Sequence, residues 1–160
     1  RRQRQMCIRD RDRPRHKKII AELNKLGVKI KLITDGDVSG ALLVVDDKYG
    51  VDIFLGIGGG PEGVLAAAAL DAYNCSFQGR FLFNTENDKE RANKMGITNL
   101  TKKYELNEIV KGDSIFCATG ITSGELVSGI KLENDEFISE TLVTHKNSGE
   151  KKIIKKIINR

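Results

Sequence analysis

Gly56-Ile57-Gly58-Gly59-Gly60-Pro61-Glu62-Gly63 lies between an apolar run at residues 51–55 and an alanine-rich run at 64–70. The pattern predicts a buried strand, a glycine loop and a helix, because glycines let backbone approach a ligand closely and Pro61 suits a first helical turn. The N–H groups of such a loop point at an anion. Glu62 falls at the helix start, where the macrodipole favours negative charge and where a bound cation or phosphate would sit nearby. Phosphate, metal or both are the ligands expected. Counted from Gly56, a G-x-G-x-x-G dinucleotide fingerprint is nearly present, with Pro61 at the place of its third glycine, and no acidic residue is evident after a second strand where one is required.

Three other constellations could contribute. Asp12-Arg13-Pro14-Arg15-His16 sets two arginines at a predicted helix N-terminus, where the dipole disfavours cations; two guanidinium forks around a rigid proline can clamp a phosphate, and a solvated helix start is the alternative. His16 alone reads as a packing or surface residue. Asp35-Gly36-Asp37 presents carboxylates to a metal or to sugar hydroxyls, or is a turn in which Asp37 caps the next helix. Ala118-Thr119-Gly120-Ile121-Thr122 offers hydroxyls to a phosphate, or is an ordinary strand-end turn. Two isolated histidines give no support to a Ser-His-Asp or Cys-His triad.

The elements that must position these residues follow from periodicity. Residues 14–26 carry Ile19, Ile20, Leu23 and Leu26 on one face, and Gly27 follows, which predicts a helix with a glycine cap. Strands are predicted at 28–34, 51–55, 80–83 and 114–120, and helices at 39–45, after Glu62, at 86–95 and at 107–110. From 127 onward the runs 127–132, 137–145 and 151–158, separated by Glu133-Asn134-Asp135 and Asn147-Ser148-Gly149, predict an antiparallel meander, with the lysines of 151–156 protecting its edge. The sum is an α/β fold: a mixed sheet with flanking helices and an antiparallel C-terminal edge. The loops at Asp35, Gly56 and Thr119 all follow strands, so three site loops are expected along one sheet edge.

Composition bounds the rest. The 160 residues fit one domain with a core, yet Arg1-Arg2-Gln3-Arg4-Gln5 shows no periodicity. Met6-Cys7-Ile8-Arg9-Asp10-Arg11 looks like the translation of a sequencing-library transposon end, so residues 1–11 read as a non-native leader and 12–160 as the domain. Without the leader's five Arg and one Asp, the formal charge of +5 becomes +1, from 22 basic and 21 acidic residues. A nucleic-acid partner then loses its electrostatic basis. Cys75 and Cys117 stand apart, in no C-x-x-C pair, and read as buried small hydrophobes in a reducing, cytoplasmic setting. No signal peptide and no membrane-spanning run is visible.

Taken together, Asp12-Arg13-Pro14-Arg15-His16, Asp35-Gly36-Asp37-Val38, Gly56 through Val64 and Ala118-Thr119-Gly120-Ile121-Thr122 resemble, in order and in the 27-residue step from Asp35 to Glu62, the GlpX-type, class II fructose-1,6-bisphosphatases. The similarity runs over nearly all of residues 12–158. It implies the second half of a sugar-phosphatase fold of the inositol-monophosphatase and fructose-bisphosphatase superfamily, acting in gluconeogenesis with Mn²⁺ or Mg²⁺. By this resemblance Glu62 matches a metal-ligand glutamate. Arg13, Pro14 and Arg15, then Asp35, Gly36 and Asp37, and finally Gly59 match substrate-binding positions. The implied chemistry is attack of a metal-activated water on the 1-phosphate of fructose 1,6-bisphosphate, with sedoheptulose 1,7-bisphosphate as a further substrate of some relatives and a homo-oligomer as the assembly. The family's other metal carboxylates, including an Asp-Pro-x-x-Gly-Thr motif, belong to an amino-terminal half, and no such motif occurs here. The expectation is therefore a phosphatase as the intact parent and a chain that is inactive, or nearly so, alone. The competing reading is a non-catalytic phosphosugar- or nucleotide-binding module built from the same loops.

Overall fold

Ile30, Leu32 and Ile33 make a β-prone run, and the computed structural model, which describes the backbone of residues 7–11 and the whole of residues 14–33 and 36–160, places a strand at Lys29–Ile33 (β2). Cys7–Arg11 (β1) lies between β2 and the short Ile53–Phe54 (β3), parallel to both, with Arg11 opposite Ile33 and Arg9 opposite Phe54. The sequence reading gave this segment no place in the fold. Its pairing corrects that: an extended backbone between two strand edges completes both ladders with main-chain groups and requires no particular side-chain period.

Pro14–His16 forms a single 3-10 turn that runs directly into Lys17–Lys25 (α1). The helix stops where expected, since Gly27 takes φ +68° and its N–H returns to the Asn24 carbonyl at 3.1 Å, a left-handed step that side chains resist. After β2, Asp37–Leu42 (α2) continues as a 3-10 turn at Leu43–Val45. Gly60–Asp71 (α3) is the alanine-rich helix, with Pro61 in its first turn as expected.

Alanine decides the packing here. Ala66, Ala67 and Ala69 are buried, and without bulk at these positions α3 closes on α2 and on the antiparallel strands; Ala41, Leu42, Ala66, Ala69, Leu70, Phe116 and Leu142 form one core cluster.

Residues 80–83 are a correction. The pairing there belongs to Gln78–Gly79 (β4) with Tyr104–Glu105 (β5), and Arg80 to Phe83 run on without strand pairing. The aromatic rings that suggested a strand instead pack locally, Phe81 on Phe83 at 6.1 Å and edge-on to Tyr104 at 5.8 Å between centroids. Glu86–Lys94 (α4) is capped by Thr85 and Asp88, each side chain bonding the other's backbone N–H, and Leu106–Ile109 (α5) is one turn.

The remaining strands form a separate antiparallel sheet: Ile115–Thr119 (β6), Lys131–Glu133 (β7), Glu136–His145 (β8) and Glu150–Asn159 (β9), with β8 paired to all the others. The meander is as expected, and the chain is α/β. The single mixed sheet is not: parallel and antiparallel strands lie in different sheets, with α3 packed on β6 and β8. Strand β7 starts late because Gly129 lies against the backbone of residues 121–123, where a Cβ would collide, and Ile130 bonds back to Ile121 at 3.1 Å. Strand alternation also corrects Cys117, which is exposed, because Phe116 beside it points into the core. Cys75 is half-buried, and that burial pushes its thiol pKa up. Among the described residues no helix is long and apolar enough to cross a membrane.

Candidate functional site

Three parallel strands send their chains out at one edge: β1 into residues 12–16, β2 into 34–37 and β3 into the glycine loop. Carboxyl ends of parallel strands are where open α/β sheets bind ligands. The segment after β1 and the loop after β3 meet at a single residue, Ile57. Ile57 donates its N–H to Nε2 of His16 at 3.0 Å, and its carbonyl oxygen accepts from Nε of Arg15 at 2.5 Å. His16 is fully buried beneath this contact. Arg15 is exposed, and using Nε for the loop orients its guanidinium while its terminal amino groups remain to meet an anion.

The second loop joins from the other side. A Cβ built on Gly58 would stand 3.0 Å from Oδ2 of Asp37, so the Asp37 carboxylate rests against the glycine loop. Asp37 opens α2 behind Gly36, whose φ of +84° is accessible to glycine and whose carbonyl accepts from Ser39 Oγ at 2.9 Å. Gly36 rather than Asp37 occupies the capping position, which corrects the capping alternative for Asp37.

Gly59 holds the third part. Its backbone is extended, and a Cβ there would collide with the carboxylate of Glu62, which therefore folds back over the loop from the first turn of α3. Arg15, Asp37, Gly59 and Glu62 thus converge around residues 56–62, with Pro14 and Gly36 beside them in the chain. Arg13 and Asp35 lie outside the described residues.

The third expected loop is elsewhere. Thr119 belongs to the antiparallel sheet and shares a 2.8 Å hydrogen bond with Thr141 across β6 and β8, while Gly120 bonds the Glu140 carbonyl. Its strand, β6, is not a member of the parallel sheet that carries the glycine loop, so the three loops do not follow strands of one sheet edge.

His16 is the site residue whose role sequence reasoning missed. Alone in the sequence it reads as a packing or surface residue; it is buried, and its ring also fixes the loop, a bond across 41 residues that no spacing rule signals. Two further clusters are equally long-range. Lys146 Nζ lies 2.6 Å from Oδ1 of the buried Asp71, whose Oδ2 accepts from Ser114 Oγ at 3.1 Å. At the turn joining β8 and β9, His145 lies 2.7 Å from Asp113 through Nε2 and 2.8 Å from Ser148 through Nδ1, which brings together a Ser-His-Asp chain that two isolated histidines did not suggest. Ser148 Oγ also accepts from Glu150 N–H and Asp113 from Asn147 N–H, so the group serves to brace the hairpin.

Among the described residues, no group of three or more His, Cys, Asp or Glu side chains is placed to hold a metal ion. Glu62 offers one hard oxygen donor, suited to a divalent cation, and the described residues do not complete a site around it.

The arrangement defines an α/β protein whose glycine loop, an arginine and two carboxylates gather at the carboxyl edge of a parallel sheet. A family model described as bacterial fructose-1,6-bisphosphatase, glpX-encoded, matches residues 2–158, and the chain belongs to that family, a family of hydrolases by its name. It is similar to proteins named D-fructose 1,6-bisphosphatase class 2/sedoheptulose 1,7-bisphosphatase: one from Prochlorococcus marinus strain NATL1A at 37% identity and one from strain MIT 9515 at 39%. Each alignment spans 146 residues, 82% of this chain and 44% of the relative. The chain therefore spans less than half the length of these relatives.

Proposed function

We propose that a longer protein, of which this chain forms a part, hydrolyses the 1-phosphate of fructose 1,6-bisphosphate, with sedoheptulose 1,7-bisphosphate as a second substrate. The observation that carries this reading is the grip of Arg15 and His16 on Ile57, which joins the Pro14–His16 turn to the glycine loop. In this reading Arg15, with Arg13, binds the phosphate that is retained. Asp37, with Asp35 and Gly36, accepts hydrogen bonds from sugar hydroxyls, and glycine at position 59 lets the substrate and the Glu62 carboxylate share one small space.

Glu62 serves as one ligand of Mn²⁺ or Mg²⁺, and the other ligands come from outside the described residues. This chain by itself releases no phosphate, and the longer protein works in the cytoplasm as a homo-oligomer. The test is phosphate release from fructose 1,6-bisphosphate by the longer protein with Mn²⁺ or Mg²⁺, before and after Arg15→Met. A rise in KM of about tenfold or more is expected from losing a charge-assisted contact. An unchanged KM removes Arg15 from the site, and robust metal-dependent turnover by the 160-residue chain alone overturns the division of ligands.

One observation favours a second reading for the chain taken alone. Because the described residues lack a metal cluster, the same loops would serve as a phosphosugar- or nucleotide-binding module without chemistry. Micromolar binding of fructose 1,6-bisphosphate to this chain in the absence of divalent metal, measured by calorimetry, supports it.

A further inference from the structure

Strand β9 is apolar on both faces and covered on neither. Ile153 and Ile157 lie on the face shared with Leu142 and are 54% and 52% exposed, while Ile154 and Ile158 on the opposite face are 44% and 49% exposed. That opposite face carries further exposed apolar side chains, Phe137 on β8, Leu132 on β7 and Ile115 on β6, with Ser139, Thr141 and Thr119 between them. An antiparallel sheet that meets water on one face normally turns polar side chains to it. Apolar residues on both faces are the pattern of a strand enclosed on both sides, and a contiguous exposed apolar patch marks a docking surface.

We propose that the outer face of this sheet, with β9 at its edge, docks onto the part of the longer protein that the relatives possess and this chain does not. The inference rests on the reading that the working protein is longer than this chain. The alignments reach 44% of the relatives' length, so more than half of each relative is available to supply the covering surface. A second copy of this chain is the poorer occupant. Antiparallel pairing of two β9 strands about residues 153 and 154 would set Lys152 opposite Lys155 and Lys151 opposite Lys156. Like charges directly opposed across strands are destabilising. Lys152 and Lys156, the two lysines on the outer face, call for a surface that is apolar at its centre and carries acidic groups beside them.

Cys117, exposed on this face, reports the cover. With Cys7 and Cys75 changed to Ser, its reaction with a thiol reagent is measured in this chain alone and in a chimaera where the chain replaces the matching 44% of the Prochlorococcus marinus NATL1A relative. Modification is expected to be at least about tenfold slower in the chimaera, with amide exchange across 151–158 slowed alongside it. Equal rates in two folded proteins overturn the proposal, as does protection in the isolated chain that disappears on dilution, which identifies a second copy as the occupant. Should the chimaera not fold, the remainder of the relative is added as a separate polypeptide and the same two rates decide. Phosphatase activity of the chimaera is read separately. Protection without activity counts against the proposed function and supports docking, whereas activity with unprotected Cys117 does the reverse.

Discussion

Ile57 and His16 are joined by a 3.0 Å hydrogen bond from the Ile57 N–H to Nε2 of a fully buried ring. A glycine-rich segment has high conformational entropy to lose, and this bond, together with the one from Arg15 to the Ile57 carbonyl, secures both backbone polar groups of one residue in it. The loop is therefore held by the segment that follows β1 and not by its own sequence.

His16→Ala should leave the Ile57 N–H unsatisfied and open a cavity, at a cost of about 2–4 kcal/mol. Urea denaturation measures the loss, and amide exchange should locate it, with Ile57 exchanging faster than the interior of α3. A variant with unchanged exchange at Ile57 would show that the ring does not hold the loop.

Gly59→Ala separates the site from the fold. The backbone there is in the extended region at φ −70° and ψ 152°, open to alanine, so only the Glu62 carboxylate has to move. The melting temperature should change by no more than about 2 °C, corresponding to a few tenths of a kcal/mol. In the longer protein the same change should lower metal-dependent phosphate release. A large fall in melting temperature would mean that Gly59 is structural.

Lys146 and Asp71 tie the turn after β8 to the end of α3. Lys146→Met leaves the buried Asp71 carboxylate with Ser114 as its remaining side-chain donor among the described residues, and should destabilise the chain by about 2–4 kcal/mol. Asp71→Asn leaves no buried charge and should cost less. A double-mutant cycle between the two positions measures their coupling, and additive effects would show that the pair contributes nothing beyond its separate members.

Acid should loosen the hairpin. The hydrogen bond from His145 holds Asp113 below the usual carboxylate range, so Asp113 adds stability above its unfolded pKa and loses that contribution as pH falls through the lower folded value. Melting temperature should fall below about pH 4. Asp113→Asn should flatten part of that fall. The remainder belongs to Asp46, Asp88, Glu108, Glu140 and Glu150, each lowered by its own hydrogen bonds.

The sequence by itself determined what depends on neighbours a few residues away: the Gly27 stop of α1, the entry of Pro61 into α3, and the hairpin from β8 to β9 with its lysine-rich edge. These are matters of backbone propensity, side-chain period and turn chemistry, and all are local. It also placed Glu62 in the first turn of its helix, whereas Asp37, expected in the turn before a helix at 39–45, opens α2 itself. Only the tertiary structure decided that Cys7–Arg11 is a middle strand, that residues 80–83 are not a strand, and that Thr119 belongs to a different sheet from the glycine loop. Pairing chooses among strand candidates by which edges are open, and a charged or irregular segment can complete a ladder as well as a periodic one. The meeting of Arg15 and His16 with Ile57, and of Asp71 with Lys146, spans 41 to 75 residues. No sequence period extends that far, so the site's assembly came from packing, while its chemistry could be read from the residues themselves.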